Sequence, residues 1–475
     1  MKSMLTVTIP VSTIERARQH IAEVAHQADL LEIRLDYLKN PDIEALKKLT
    51  ADITLPYILT LRSKQHGGLF SGDETTRLHL IKTLLAAKPD YLDLEIDVED
   101  RYIDEIHAQY PEVKLIRSCH DFKHTPEDLS AILERMRHPA MSVYKIITYA
   151  NSSLDSLRMM NFVKQQSSQH HIVGHCMGEE GVFSRIAGAV MGNLWTYVAV
   201  DTESAVVSHQ LTLSDYHNIY FLHKKNSDTK LFALLGDPVI YSLGHIFHNK
   251  NFDQHDINAL YLKIKVSSEQ LTSLFALIKT LPFFGFSVTT PLKQEVLPYV
   301  RNLSGLQAVN TLSVENGEIS AINTDGLGTL DAIEEIVKVK DKKVLLLGAG
   351  GAAKAIAQAA HDRGADMTIA NRTFANAEKI ARLFPAKIID FSVEDNTLYD
   401  IVINALTLNV FEQATFIDWL SHILQRQPLV MDVNYNRADN PLLSLCEKYN
   451  CQVIRGEKMF VNQALAQYRY WFNKQ

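Results

Sequence analysis

Eight short apolar runs recur at fairly even spacing through the first 200 or so residues, and this alternation limits the chain more than any other feature. They are LTVTI (5–9), LLEIRLDY (30–37), YILTLRS (57–63), YLDLEID (91–97), KLIRSCHD (114–121), VYKIITY (143–149), HIVGHCMG (171–178) and WTYVAV (195–200). Helix-like segments such as TIERARQHIAEVAHQA and DETTRLHLIKTLLAA lie between them. Strands that alternate with helices and are apolar along their whole length belong to a parallel sheet covered on both faces. Eight such units in somewhat over 200 residues predict a (β/α)8 barrel, with a doubly wound sheet as the competing arrangement. The full 475 residues exceed what one core can bury, so further domains follow.

Apolar residues make up 46% and charged residues 22% of the chain, ordinary for a globular protein. A net charge of −7 argues against a nucleic-acid surface. Without a run of 18 apolar residues no membrane span is expected. The start, MKSMLTVTIP, enters a strand at once, with neither a signal-peptide core nor a transit segment. Cys119, Cys176, Cys446 and Cys451 lack metal-ligand spacing and are too few for a disulfide scaffold. A cytoplasmic protein without a metal is the expectation.

Catalytic groups of a barrel sit near the C-terminal ends of its strands. Lys145 lies inside VYKIITY with apolar neighbours on both sides, an expensive place for a charge unless it is used. Desolvation is expected to lower its pKa and free the amine as a nucleophile for a ketone or aldehyde. His120, one strand earlier in SCHDF, is placed as acid–base partner. Glu32, Arg34, Arg62 and Arg185 are further charges at strand ends, suited to a small polyhydroxylated anion, with an Arg gripping a carboxylate. A lysine reaching solvent or pairing with Glu95, and a ring of structural salt bridges, are the non-catalytic alternatives.

LEIRLDYL, TLRSKQHGG, SCHDF, VYKIITY and GVFSRIAG, in that order, resemble type I 3-dehydroquinate dehydratase across residues 1–215. The resemblance implies an imine between Lys145 and the substrate's C3 ketone. It makes His120 the proton shuttle during loss of water and Arg185 the carboxylate ligand, with Glu32, Arg34 and Arg62 around the hydroxyls. ESAVVSHQ resembles the family's lid segment, which makes Ser204 and Gln210 further substrate contacts. Where the family has an acidic residue before the Gly-Gly pair, this chain has His66.

A polar stretch, HKKNSDTK (223–230), reads as a linker, after which βα patterning resumes. Within it VLLLGAGGAAKAIA (344–357) is a strand, a tight turn and a helix start. Gly348, Gly350 and Ala353 give the spacing G-x-G-x-x-A, which lets backbone amides approach a pyrophosphate. About twenty residues on, a strand ends at Asn371-Arg372-Thr373 rather than at a carboxylate, and a guanidinium there suits a ribose 2′-phosphate, hence NADP(H). GFSVTTPLKQE, LQAVNTL and INTDGLG place Thr289, Lys293, Asn310, Asn323 and Asp325 beside this loop. A Lys–carboxylate pair there can exchange a proton with a hydroxyl while hydride moves to or from the nicotinamide.

GDPVIYS, SVTTPLK, AVNTL, INTDGLG, LGAGGAAKA, NRT, DVNY and GEKMFVNQA together resemble shikimate dehydrogenase across residues 231–475. That resemblance makes Lys293 and Asp325 the catalytic pair. It gives substrate contacts to Ser242, Thr289, Asn310, Tyr435 and Gln463. It gives the NADP site to Gly348, Gly350, Gly351, Ala352, Asn371, Arg372 and Thr373, with Val433 and Gly456 bordering the nicotinamide. The family's second Ser, two positions after Ser242, is Gly244 here, next to His245. The expected division is a barrel (1–222), a linker (223–230), a substrate-binding domain (231–328), an NADP-binding Rossmann domain (329–455) and a C-terminal helix (456–475) packed back on the substrate-binding domain. The two resemblances imply a bifunctional enzyme of aromatic amino-acid biosynthesis that takes small molecules through two consecutive steps. The alternatives are an aldolase-like or decayed barrel serving as a scaffold, and a dehydrogenase acting on quinate.

Overall fold

The computed structural model describes residues 3–38, 43–51, 53–391, 396–406, 408–434 and 440–472. Its eight N-terminal strands are β1 (Met4–Pro10), β2 (Leu30–Arg34), β3 (Tyr57–Thr60), β4 (Tyr91–Glu95), β5 (Lys114–His120), β6 (Met141–Tyr149), β7 (Ile172–Met177) and β8 (Trp195–Ala199). All observed pairings among them are parallel, in the order β7-β6-β5-β4-β3-β2-β1-β8. The sheet curls on itself until the Leu194 amide donates to the Ile172 carbonyl at 2.9 Å, so β8 meets β7 at their starts. This is the barrel; the doubly wound alternative does not occur in this half. Strands such as β2, β3 and β7 are buried along their whole length, because one face looks into the barrel and the other onto helices. Helix starts are fixed by local caps: Thr13 accepts from the Arg16 amide, Asp73 from Thr76, and Ser152 with Asp155 forms a capping box.

The backbone separates into two compact units, Met1–Phe283 and Phe284–Gln475. The first holds the barrel and a parallel pair, β9 (Lys230–Gly236) with β10 (Ala259–Lys265). The polar segment 223–230 is tied down: Lys224 pairs with Asp253, Thr229 bonds Asn258, and Lys225 is buried. Barrel and β9–β10 region touch through the Asn161 amide donating to the Leu277 carbonyl (3.3 Å) and through Lys265 with Glu180 (3.0 Å).

In the second unit β11 (Phe283–Val288), β13 (Thr311–Glu315) and β14 (Glu318–Ile322) pair antiparallel in turn, with the short β12 (Arg301–Asn302) parallel to β14. A parallel sheet follows from β15 (Lys343–Leu347), β16 (Asp366–Ala370), β17 (Lys387–Ile389), β18 (Ile401–Asn404), β19 (Leu429–Asp432) and β20 (Val453–Ile454). Its order, β17-β16-β15-β18-β19-β20, reverses at β15, the topology that opens a dinucleotide crevice above that strand. The final helix is Gly456–Phe472. It packs on β13 and β14 through Trp471 Nε1 to the Leu312 carbonyl (2.9 Å) and Tyr470 to Ser320 (2.8 Å).

Two glycines allow the helix Asp325–Glu334 to sit between its neighbours. A Cβ on Gly326 would lie 2.0 Å from the Ala355 carbonyl oxygen, and one on Gly328 would lie 2.6 Å from the Gln463 amide nitrogen. Both obstacles are backbone, so neither can rotate away. Gly326→Ala should therefore destabilise the second unit by about 2 kcal/mol, read as a lower urea midpoint of its unfolding.

Candidate active sites

The barrel mouth is built on alternation. On β4, Asp93 and Glu95 are two residues apart and share one face. Asp93 meets Lys145 Nζ at 3.1 Å, Arg62 at 2.6 Å and the Ser118 hydroxyl at 2.6 Å. Glu32 on β2 takes the other side of Lys145 at 3.0 Å. Glu95 does not touch Lys145; it is shared by Arg62 (3.5 Å) and Arg77 (2.7 Å). Arg34 is clamped by both oxygens of Asp36 at 2.9 Å. Lys145 also lies 4.3 Å from the centre of the Tyr197 ring.

This arrangement corrects one expectation. Burial by itself would lower the Lys145 pKa, but Glu32, the Tyr197 phenol and Asp93 outweigh it, and the pKa is raised. The resting amine is an ammonium. His120 moves the other way: burial, then Arg62 and Lys145, hold it well below its usual value, so its ring is neutral at pH 7. Arg185 is fully enclosed on the helix Val182–Ile186, and burial lowers its pKa to about 10. Its buried Nε has no partner, and among the described residues its guanidinium forms no ion pair. A buried cation without a counterion is what a carboxylate-bearing ligand would complete. Gln210 reaches Thr8 (3.4 Å), which donates to Glu32 (3.3 Å), so it joins the mouth. Ser204 bonds Asp201 and closes the turn after β8.

In the second unit Lys293 Nζ lies 2.5 Å from Asp325 Oδ2, and Asn310 Nδ2 donates to the other oxygen at 2.8 Å. Asn310 is held by the Thr324 amide (2.8 Å), and Gln463 receives the Thr324 hydroxyl at 3.4 Å. The Asn323 side chain accepts the Asp325 amide (2.9 Å). Thr289, between β11 and the turn carrying Lys293, takes the Leu292 amide on its carbonyl, leaving its half-buried side chain beside that lysine's helix. In the first unit the Ser242 hydroxyl accepts the Gly244 amide (3.1 Å), and His245 beside it is pushed down to about 4 by burial. Tyr435 lies outside the described residues.

The dinucleotide loop fits its expected cofactor. Gly348 has φ +108°, and a Cβ there would sit 3.0 Å from the Ala405 carbonyl oxygen. Gly350 and Gly351 face open space, where a Cβ would meet nothing within 4 Å. The helix Gly351–Asp362, with Ala352 in its first turn, starts at that opening and aims its free amides into it. β16 ends at Ala370, so Asn371, Arg372 and Thr373 follow at once. Asn371 bonds the Thr373 carbonyl (2.8 Å), and Arg372 is exposed without an ion pair among the described residues. Val433 lies just beyond β19, and a Cβ on Gly456 would strike the Asn434 carbonyl oxygen. Among the described residues no group of His, Cys, Asp or Glu could hold a metal ion, and no helix is long and apolar enough to cross a membrane.

Asp93, Ser118, Tyr197 and His175 were missed from sequence. Asp93 and Ser118 had a usable signal, since each stands on the same strand face as a residue that was singled out. Tyr197 and His175 look like ordinary core positions.

The fold and these two sites define a two-station enzyme, a lysine-centred barrel joined to a dinucleotide-dependent oxidoreductase. Family models match in the same order: type I 3-dehydroquinase over residues 5–227, the shikimate dehydrogenase substrate-binding domain over 234–324, and shikimate/quinate 5-dehydrogenase over 331–435. The chain is 31% identical to the shikimate biosynthesis protein AroDE of Chlamydia pneumoniae, covering 99% of this chain and 95% of that one. It is 32% identical to the chloroplastic bifunctional 3-dehydroquinate dehydratase/shikimate dehydrogenase of Arabidopsis thaliana, covering 94% and 78%. A shikimate dehydrogenase (NADP(+)) of Lysinibacillus sphaericus is 34% identical over 51% of this chain and 92% of its own length. The chain belongs to the family of bifunctional 3-dehydroquinate dehydratase/shikimate dehydrogenases.

The neutral burial of His120 and His175, both held well below the usual histidine value chiefly by burial, has a stability consequence. As pH falls through about 6.5 the unfolded chain protonates both rings while the native chain does not. Stability should therefore be full above that pH and decline below it, by up to about 1.4 kcal/mol per pH unit for each ring. His175→Asn should flatten the decline, checked by urea unfolding between pH 7 and 5.

Proposed function

We propose that the barrel dehydrates 3-dehydroquinate through an imine on Lys145 and that the second unit reduces the resulting 3-dehydroshikimate to shikimate with NADPH. The observation that carries the first half is the set of one buried ammonium, one part-buried neutral imidazole and one buried guanidinium without an ion pair among the described residues: Lys145, His120 and Arg185. Arg185 binds the substrate carboxylate, whose negative charge offsets the surplus positive charge of the mouth. Glu32, Arg34, Arg62, Ser204 and Gln210 hold hydroxyls and the lid. For attack, Lys145 must lose a proton, and Glu32, Asp93 and neutral His120 are the nearby acceptors. The imine then draws electrons from the adjacent carbon. His120 takes that carbon's proton and returns one to the departing hydroxyl, so water leaves and the imine is hydrolysed.

In the second half Lys293 and Asp325 form the proton-transfer pair, fixed by Asn310. Ser242, Thr289, Asn310, Tyr435 and Gln463 hold the substrate. Gly348, Gly350, Gly351, Ala352, Asn371, Arg372 and Thr373 hold NADP, with Val433 and Gly456 at the nicotinamide. The bound dinucleotide supplies the hydride. Lys293 and Asp325 deliver the proton to the oxygen of the reduced ketone, and the Arg372 side chain takes the 2′-phosphate. The assignment to 1–222, 231–328 and 329–455 is supported by the three matched segments, and that of the helix 456–475 to the substrate-binding domain by the bonds of Trp471 and Tyr470 to β13 and β14. A cytoplasmic location is part of this reading.

Purified full-length protein given 3-dehydroquinate and NADPH alone should oxidise NADPH and yield shikimate; absence of either product ends the two-step reading. Borohydride added with 3-dehydroquinate should trap an adduct on Lys145 by peptide mass, and an unmodified Lys145 would remove the imine. Arg372→Ala should raise the KM for NADPH about tenfold and leave that for NADH unchanged.

A further inference from the structure

β4 ends at Glu95, and Asp97 stands in the turn that follows, its carboxylate without a contact to Lys145. It grips His66 Nε2, at 2.8 Å from one oxygen and 2.9 Å from the other. Gln65 Nε2 adds a bond to the same carboxylate at 3.2 Å. The His66 ring is nearly buried, at 10% side-chain exposure, while Asp97 is 47% exposed. The ring stands edge to face with His120, centroids 6.3 Å apart and planes at 70°. His66 Nδ1 and His120 Nδ1 are both buried and both without a hydrogen-bond partner among the described residues. The loop that carries His66 is pressed into place, because Gly67 has φ +79° and lies against Phe122, whose ring stacks on His120 at 6.0 Å and 12°.

We infer that Asp97 and His66 form a positioning pair that sets the tautomer and orientation of His120 for the dehydration. The inference rests on His120 acting as the acid–base group proposed above. Asp97 accepts the proton-bearing His66 Nε2, which leaves His66 Nδ1 a bare acceptor. His120 then donates its Nδ1–H to that acceptor as the rings close together, or through one water, since catalytic hydrogen bonds often tighten only with substrate. The lone pair of His120 Nε2 is thereby turned to the substrate. His66 keeps its Nε2 proton against the Asp97 carboxylate; only His120 Nε2 exchanges one.

The charged groups around the pair are few. Arg62, Lys145 and Asp93 bear on His120, while Lys64, Glu95 and Asp97 line the roughly 370 Å³ pocket on the His66 side. Glu74 and Arg77, also in that pocket, pair with each other at 2.7 Å. Among the described residues Asp97 is the one carboxylate that touches His66, so its removal tests the pair with the least disturbance.

The test compares Asp97→Asn, His66→Ala, His66→Glu and the His66→Glu/Asp97→Asn double variant in dehydration of 3-dehydroquinate. NADPH-dependent reduction of 3-dehydroshikimate by the same samples controls for folding. Asp97→Asn should lower kcat about tenfold with little change in KM, and should move the acid limb of its pH profile to lower pH, because a negative charge supporting the imidazolium has gone. His66→Ala should lose more. His66→Glu should recover most of the loss, since its carboxylate accepts from His120 directly, and in that background Asp97→Asn should have no further effect. The inference is overturned by parental kcat in Asp97→Asn, by an unmoved acid limb, by His66→Glu no better than His66→Ala, or by an Asp97 effect that persists in the His66→Glu background. A parent enzyme that fails to dehydrate 3-dehydroquinate, or that keeps full rate as His120→Ala, would instead sink the reading beneath it.

Discussion

One ammonium buried at the centre of a closed sheet sets the terms for the barrel. Taking Lys145 out of water costs several kcal/mol unless carboxylates surround it. The chain meets this with Glu32 from β2 and Asp93 from β4, and Asp93 is balanced in turn by Arg62. Cations and anions therefore alternate around the mouth, each held by partners on other strands. Arg34 with Asp36 and Arg77 with Glu95 extend the pattern outward. Arg185 is the exception, a buried cation left without an ion partner among the described residues. The mouth is thus one positive charge in excess at the point where an anionic substrate would dock, beside a His120 kept neutral by burial, then by Arg62 and Lys145.

The dehydrogenase half relies on close backbone approach instead of a dense charge lattice. Gly326 and Gly328 let the helix Asp325–Glu334 press against the Gly351–Asp362 and Gly456–Phe472 helices. That contact fixes the start of the helix, where Asp325 stands. Asn310 then ties Asp325 to Thr324 and to β13, so the Lys293–Asp325 pair is positioned by packing as much as by its own attraction. The two halves carry opposite solutions to preorganisation: crowded charges in the barrel, small residues and amide networks in the oxidoreductase.

Much of this was readable in the chain. The eight apolar runs became eight strands with ends displaced by a few residues, because continuous burial on both faces leaves a signal that needs no partner to interpret. Gly348 and Arg372 were equally legible, since a tight turn and a strand end are local events. Asp93 was legible only in its strand face, although it is central: a carboxylate in YLDLEID looks the same whether it faces a lysine, an arginine or water. Its partner Lys145 is 52 residues away.

The sequence by itself determined the order of elements, the nucleophile candidate, the dinucleotide loop and the preference for a 2′-phosphate, all carried by patterns spanning fewer than about thirty residues. The tertiary structure alone decided how those groups are charged and aimed. Lys145 was expected to be a depressed amine and is a stabilised ammonium, because Glu32, 113 residues distant, and Asp93 close on it from other strands. His66 looked like a lost carboxylate and proved to carry one, borrowed from Asp97 at 2.8 Å. A side chain's identity is local, but its ionisation and direction depend on charges that only the closed sheet brings within a few ångströms.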